Sequence, residues 1–228
     1  MVKEHYNYID HIGQLLREGD IMVSKFLNID RKKQTRILNA AMKEFALKGY
    51  TNASTNAIVK EAGISKGLLF HYFTNKKDLY SFLTQHTITI IMDEFLNGIN
   101  LSEKDIFQRL KDASQLKMKL LMQYPDIIKF LISIQVETAS EVIDDIREIT
   151  KQMRELGMDK LYQDFDVTLF REDIDIGKAL NIINWSLEGY SEQMLQKIKL
   201  TGKQDLDFSE AFDEVDQYID ILKTSFYK

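Results

Sequence analysis

Cysteine is absent from the 228 residues of this sequence, so the chain can form neither disulfides nor thiolate metal sites. Long apolar runs are missing too, since none approaches the roughly 18 consecutive residues that would span a bilayer. The charged N-terminus does not have the pattern of a signal peptide. These absences predict a cytoplasmic protein that does not enter a membrane.

Helix-breaking residues are scarce, with one proline and ten glycines. Leu, Ile, Lys, Glu and Asp are abundant, and apolar residues recur at three- and four-residue spacing, with no useful strand-like alternation. The sequence therefore predicts an all-α fold.

The signatures of common enzyme classes are also missing: there is no His-Glu-x-x-His, no phosphate-binding loop and no G-x-S-x-G. The four histidines (His5, His11, His71 and His86) do not have the spacing of a metal site. The many carboxylates lie on predicted helix faces, where solvated charge is ordinary. We expect a protein that is not an enzyme and uses no cofactor or metal.

Charge is distributed unevenly along the chain, although the net charge is only −5. Residues 30–80 contain ten Lys and Arg against four Asp and Glu, whereas residues 81–228 contain 17 against 27. The net charges of these two parts are therefore +6 and −10. A basic head on an acidic body is typical of a protein whose head binds a polyanion.

The basic part contains three short helical patterns and the start of a longer one. A first helix is predicted over 30–48, with Gly49 as its stop. Ser54 or Thr55 begins a second helix that ends before Gly63, and Ser65 begins a third that runs to Phe73. Two helices joined at a glycine in this way are typical of a helix-turn-helix.

Helical patterns continue to the end of the chain. Asn75 and Asp78 resemble a capping box that opens a fourth helix toward Leu96. Beyond it, Pro125 separates a helix over about 102–124 from the next one. Further helices are predicted at the ranges 141–165, 173–199 and 208–226.

Residues 31–83 closely resemble the DNA-binding domain of the TetR/AcrR family of transcriptional regulators. The matching stretches are Ile37-Leu38-Asn39-Ala40-Ala41, Phe45, Gly49-Tyr50, Glu61 through Gly67, Leu69 through Phe73 and Asn75 through Leu79. The resemblance implies a helix-turn-helix DNA-binding domain at 30–76 and a larger helical ligand-binding and dimerisation domain at 77–228.

Family roles carried over by position imply that eight residues contact DNA. They are Thr55, Ser65, Lys66, Gly67, Phe70, His71, Tyr72 and Lys76. Gly67 would let the backbone approach the duplex, and Lys76 would meet a phosphate. Tyr72 could have two roles, because its ring could belong to the core of the small domain while its hydroxyl reaches a phosphate. Phe70 departs from the family, in which tyrosine is commoner at this position.

The last two helices of such regulators usually form a four-helix bundle with a second subunit. An apolar stripe on the final helix and a glycine on the one before it suit that role. The predicted interface residues are Gly189, Phe208, Phe212, Val215, Ile219, Leu222 and Phe226. The alternative interpretation is that the stripe packs only inside its own subunit.

The resemblance also implies an effector pocket, which adaptable methionines and aromatics could line. Candidate lining residues are Phe95, Met118, Met122, Phe130, Trp185, Tyr190 and Met194. Taken singly, each of them is better explained as core packing.

The sequence therefore predicts a homodimeric regulator that binds a palindromic operator in double-stranded DNA. By default it would be a repressor released by a small, apolar effector. The alternative is a helical protein-interaction adaptor without a ligand response.

The N-terminal residues 1–29 have two interpretations. They are either an N-terminal arm, or they include translated upstream sequence before a native start at Met22. In the second case Arg17-Glu18-Gly19 corresponds to a ribosome-binding site.

Overall fold

The computed structural model describes residues 25–201 and 208–228. The proposed native start at Met22 lies outside these residues, and so does most of the predicted break between the helices at 173–199 and 208–226. The helices are α1 (Arg31–Asn52), α2 (Thr55–Ala62), α3 (Lys66–Tyr72), α4 (Lys76–Gly98), α5 (Ile106–Gln123), α6 (Pro125–Gln135), α7 (Ile143–Leu161), α8 (Ile176–Thr201) and α9 (Ser209–Phe226), with a 3-10 turn at Val167–Leu169. The all-α prediction is confirmed.

Short polar side chains start the first four helices, as their spacing predicts. Asp30 accepts a hydrogen bond from the Lys33 amide (3.2 Å) at the start of α1. Ser54 and Ser65 accept from amides three residues ahead at the starts of α2 and α3. Asn75 does the same for α4, with the Asp78 amide at 2.9 Å. Each cap satisfies a backbone donor that the helix itself leaves unpaired.

Two glycines end helical segments through left-handed backbone conformations. Gly49 has φ 66° and interrupts α1, so that only the last turn, to Asn52, follows it. Gly63 has φ 66° and ψ 41° and closes α2. Residues with a Cβ rarely adopt such angles, so a glycine at each of these positions allowed the end of the helical segment to be predicted from the sequence.

The chain divides into two compact units, and the first comprises residues 25–89 and 130–147 of the described chain. Its core includes Phe45, whose ring lies 4.9 Å from that of Tyr80. Phe130 completes the cluster, with its ring centroid 5.8 Å from Tyr80. The unit that contains the predicted DNA-binding domain therefore extends beyond residue 76 and includes a segment from much later in the chain.

Phe26 also belongs to this core, although the sequence analysis placed residues 1–29 outside the DNA-binding domain. Its side chain is fully buried. Its ring lies 5.1 Å from Phe73, 5.5 Å from Phe82 and 5.7 Å from Tyr72. Phe26 packs at the end of α3, so the core of this unit includes a residue before the predicted boundary at 29.

Of the described residues, the second unit comprises 90–129, 148–201 and 208–228, and it is organised around a buried arginine. Arg109 on α5 is almost fully buried within an apolar core. Its guanidinium donates to the backbone carbonyls of Glu103, Leu161 (2.8 Å) and Gln163 (2.6 Å). Since a buried charge is tolerated only when its donors are satisfied, this residue ties the loop before α5 to the end of α7.

The C-terminus returns to the same core. The backbone of Tyr227 pairs with that of Phe170 in an isolated antiparallel bridge. The Tyr227 ring lies 4.8 Å from Phe107 and 5.0 Å from Phe170. None of the helices in the described ranges is long and apolar enough to cross a membrane.

Candidate functional site

The α2–α3 corner is the part of the first unit that presents short helices to solvent. Ile58 on α2 and Leu69 on α3 are buried and hold the two helices together. Gly63 makes the turn between them, and its amide bonds back to the Lys60 carbonyl at 3.3 Å. The Lys43 ammonium on α1 forms an ion pair with Glu61 at 2.6 Å, which raises the pKa of that lysine. This exposed ion pair links the α2–α3 corner to α1 at the surface.

The outer face of α3 carries most of the residues that were predicted to contact DNA. Lys66, Gly67 and His71 are exposed, and Phe70 is half-buried with its ring 5.9 Å from the Lys66 ammonium. A Cβ on Gly67 would meet nothing within 4 Å, and its backbone does not need a glycine. The fold itself therefore gives no reason for this glycine. Ser65 lies at the edge of the same face, and Thr55 is half-buried in the first turn of α2.

Tyr72 is placed differently. It is only 5% exposed, and its ring packs against Phe26 in the core. The neighbouring aromatic rings cover the side chain, so the ring belongs to the core of the first unit, as the sequence analysis allowed. A DNA contact through the Tyr72 hydroxyl stays a prediction.

Lys76 is likewise engaged inside the protein. Its ammonium donates to the backbone carbonyls of Tyr50 (2.8 Å), Thr51 (3.1 Å) and Ala53 (3.4 Å). It also lies 4.6 Å from the centroid of the Tyr50 ring. An ammonium has three hydrogens, and these three carbonyls use all of them. Lys76 therefore joins the end of α1 to the start of α4. Its predicted contact with a DNA phosphate stays a prediction.

The same junction involves a residue that the sequence analysis missed. The Glu137 carboxylate accepts a hydrogen bond from the Tyr50 amide at 2.7 Å, and a Cβ on Gly49 would lie 3.3 Å from it. Burial, together with a hydrogen bond to Glu141, raises the pKa of the Tyr50 hydroxyl to about 12. Residues 50 and 137 are 87 positions apart, so no local pattern in the sequence could indicate the contact.

The predicted effector-pocket residues are divided between the two compact units, and two of them are exposed. Phe130 belongs to the core of the first unit, whereas Phe95 is buried in the core of the second. Met122 is 76% exposed and Trp185 is 68% exposed, so neither lines an interior pocket. Tyr190 is buried, and its hydroxyl donates to Glu214 at 2.8 Å. Met118 and Met194 are half-buried.

The apolar stripe on α9 also differs from the predicted interface. Ile219 and Leu222 are buried in the core of their own subunit, and Val215 and Phe226 pack against that core. Phe208 and Phe212 are half-buried near the start of the helix. The alternative interpretation is supported for the central part of the stripe, since an amphipathic helix turns its most apolar face toward its own core.

A different set of apolar side chains faces outward on the last two helices. Ile182 and Trp185 are exposed on α8, and Tyr218 and Ile221 are exposed on α9. Gly189 is two turns or fewer from these α8 residues, and a Cβ added to it would meet nothing within 4 Å. Of the predicted interface residues, Gly189 therefore remains compatible with contact to another chain.

Residues 37–81 match the family model described as bacterial regulatory proteins, tetR family. The chain is 24% identical over 182 residues to the HTH-type transcriptional regulator YdgC of Bacillus subtilis, covering 76% of this chain and 85% of YdgC. It is 28% identical over 134 residues to the regulator YvkB of the same organism, covering 58% and 67% of the two chains.

The fold is similar to that of the transcriptional regulator FadR from Bacillus subtilis, solved in complex with stearoyl-CoA. The TM-score is 0.62 at 17% identity, and the match covers 83% of this chain and 97% of FadR. These relatives are transcriptional regulators, not enzymes. Within residues 25–201 and 208–228, no group of three or more His, Asp and Glu side chains could hold a metal ion.

The role assigned to Lys76 can be measured as stability. Lys76→Met should lower the free energy of unfolding by roughly 2–3 kcal/mol, because three backbone carbonyls at the end of α1 lose a charged donor and two of these hydrogen bonds are partly buried. Lys48→Met is the control, since Lys48 is exposed and only loosely paired with Glu44 at 3.8 Å. The control should change stability by less than about 1 kcal/mol. Urea unfolding followed by circular dichroism compares the two, and equal losses would contradict the role.

Proposed function

Since this chain belongs to the TetR family of transcriptional regulators, we propose that it is a dimeric repressor of the genes next to its operator. The α3 helix of each subunit binds one half of a palindromic site in double-stranded DNA. A small, apolar effector in the second unit releases the protein from that site.

The exposed face of α3 is the observation that carries this proposal. The major groove admits an α-helix whose side chains reach the base edges. Lys66, Phe70 and His71 supply a charge, an apolar surface and a polar ring on one short helix. Gly67 has open space where a side chain would otherwise stand, so the helix backbone can come close to the duplex. Ser65 and Thr55 flank this surface and complete the proposed contact set.

The charge distribution supports the same assignment. The net charge of +6 over residues 30–80 attracts DNA phosphates, although the whole chain is acidic. Lysines on the outer face supply phosphate contacts, whereas Lys76 is engaged with backbone carbonyls. Lys66 is therefore the proposed phosphate contact of α3.

The outward face of α8 and α9 supports assembly into a homodimer. Ile182, Trp185, Tyr218 and Ile221 expose apolar area that a monomer would leave in water. Gly189 lets a second helix backbone approach α8 closely. Two copies that cover this face with each other form an isologous interface, as twofold symmetry requires. The two α3 helices of such a dimer are related by the same twofold symmetry, so they fit the two halves of a palindromic operator.

The interior of the second unit is the proposed effector site. Met92 and Met158 are half-buried and pack against the core that contains Phe95. Met118 on α5 and Met194 on α8 are also half-buried. Methionine side chains are flexible and adapt to apolar ligands of different shapes. The helices that carry these four methionines, α4, α5, α7 and α8, can therefore accommodate an apolar chain between them. The complex of FadR with stearoyl-CoA makes a long acyl chain the first effector to test.

The DNA face can be tested by salt dependence. Lys66→Ala should lower the slope of log affinity against log salt by roughly one unit per subunit, because one phosphate contact is lost. Lys151→Ala removes the same charge from α7, where the lysine lies 4.0 Å from Glu155. That control should leave the slope unchanged. Fluorescence anisotropy with a labelled duplex measures the salt dependence of DNA affinity for both variants. An unchanged slope for Lys66→Ala would contradict the proposal that α3 contacts DNA.

The dimer face can be tested by sedimentation. Ile221→Asp introduces a charge into the proposed interface and should shift the protein from dimer to monomer at micromolar concentration. Met122→Asp is the matched control, because Met122 is at least as exposed but lies on α5. It should leave the dimer intact. A dimer of normal affinity in the Ile221→Asp variant would place the interface elsewhere.

The effector class can be tested with a ligand and its truncated counterpart. Stearoyl-CoA should weaken DNA binding by more than tenfold at saturation, whereas free coenzyme A, which lacks the acyl chain, should have no effect. Isothermal titration with the same pair checks that the ligand binds the protein in the absence of DNA. Binding without any change in DNA affinity would argue against release by this ligand class.

A further inference from the structure

Lys77, which follows α3 in the chain, forms an ion pair with Asp145, an acidic residue from a distant part of the chain. The Lys77 ammonium, at the start of α4, lies 3.0 Å from the Asp145 carboxylate near the start of α7. Both side chains remain nearly half exposed, at 45% and 46%. The pair joins two elements of the first compact unit, although the residues are far apart in sequence. It lies at a surface that solvent ions can reach.

Lys77 and the adjacent Lys76 have different hydrogen-bond and ion-pair partners. A groove at the start of α4 is lined by Tyr50, Asn75, Lys76, Lys77 and Glu141. Lys76 is engaged with three backbone carbonyls, so moving it would disrupt the fold. Lys77 is paired with an exposed carboxylate instead. Exposed ion pairs contribute little to stability, so Lys77 can exchange its partner at small cost.

We propose that Asp145 competes with DNA phosphate for Lys77 and thereby lowers the affinity of the protein for DNA. This inference rests on the proposed DNA-binding function. Lys77 follows α3 by five residues, on the helix that begins directly after it. When Lys77 turns to a phosphate, Asp145 loses its partner and its charge repels the DNA. The intramolecular carboxylate therefore acts as a permanent competitor at the edge of the DNA-binding surface.

Asp144 provides a matched control on the preceding position. Its carboxylate lies 3.2 Å from the Arg147 guanidinium within α7, not against Lys77. Asp144→Asn and Asp145→Asn change the net charge equally and on adjacent residues. A general charge effect would appear in both variants, and competition for Lys77 only in the second.

The experiment measures the affinity of the full chain for a mixed-sequence duplex of about 30 base pairs over a series of NaCl concentrations. A nonspecific duplex suffices, because phosphate contacts do not depend on sequence. Asp145→Asn should raise the affinity roughly threefold per subunit, or roughly tenfold for a dimer, since a unit charge close to a phosphate is removed. The log–log salt slope should become steeper by up to about one unit per subunit, because Lys77 then meets a phosphate.

A double-mutant cycle identifies Lys77 as the group through which Asp145 acts. In a Lys77→Gln background, Asp145→Asn should raise the affinity no more than Asp144→Asn does. Asp145→Ala should reproduce the result of Asp145→Asn, and melting temperatures should stay near that of the wild type because the pair is exposed. Equal gains for Asp144→Asn and Asp145→Asn, or a gain that persists without Lys77, would overturn the inference.

Failure of the underlying function would look different. If the wild-type protein does not bind the duplex even at low salt, the proposed DNA binding is wrong, and the inference is overturned with it. If the wild type binds and only the Asp145 effect is missing, the DNA-binding function stands and competition at Lys77 is rejected.

Discussion

The first unit depends on how the end of α1 is satisfied. A helix leaves its last carbonyls without partners, and Gly49 interrupts α1 one turn before its end. The Lys76 ammonium meets that need by donating hydrogen bonds to three backbone carbonyls at once, while the Glu137 carboxylate accepts a hydrogen bond from the Tyr50 amide. The start of α4 is thereby fixed against α1. Because α3 lies between these two elements in the chain, its position follows from this junction.

The junction also shows that the lysines of the first unit differ in how available they are to contact a DNA phosphate. Lys66 is exposed on α3 and is the proposed phosphate contact. Lys76, ten residues later, already donates to backbone carbonyls at the end of α1, so a DNA phosphate would have to compete with those hydrogen bonds. Lys77 is between these extremes, since its partner is an exposed carboxylate. The positive charge of the first unit is therefore not uniformly available, and the geometry of each ammonium decides how it contributes.

The second unit has two distinct apolar surfaces on its last two helices. One surface includes Ile219 and Leu222 and is buried with the core that also encloses Arg109. The other includes Trp185 and Ile221 and faces outward. A stripe found by helical periodicity tends to be the inner one, because that face is the more apolar. The outer face has fewer apolar residues, spread over two helices, and it is the one that a second subunit can cover.

The sequence by itself determined the helices and, to within about four residues, their limits. Helical periodicity, capping residues such as Ser54 and Ser65, and glycines at left-handed positions act within a few residues, so they can be recognised without a structure. The helix-turn-helix resemblance and the uneven charge likewise depend on local composition. These features predicted the fold class, the order of the helices and the family.

Only the tertiary structure decided which face of each helix is buried and which partner each charge has. Tyr72 and Phe26 share one core because two segments meet there, and Trp185 faces outward because another side of α8 packs inside. Lys76, Glu137 and Asp145 obtained their roles from contacts across long sequence separations. Such contacts depend on how the helices pack, and helix periodicity describes each helix alone, so the sequence pattern could not assign them.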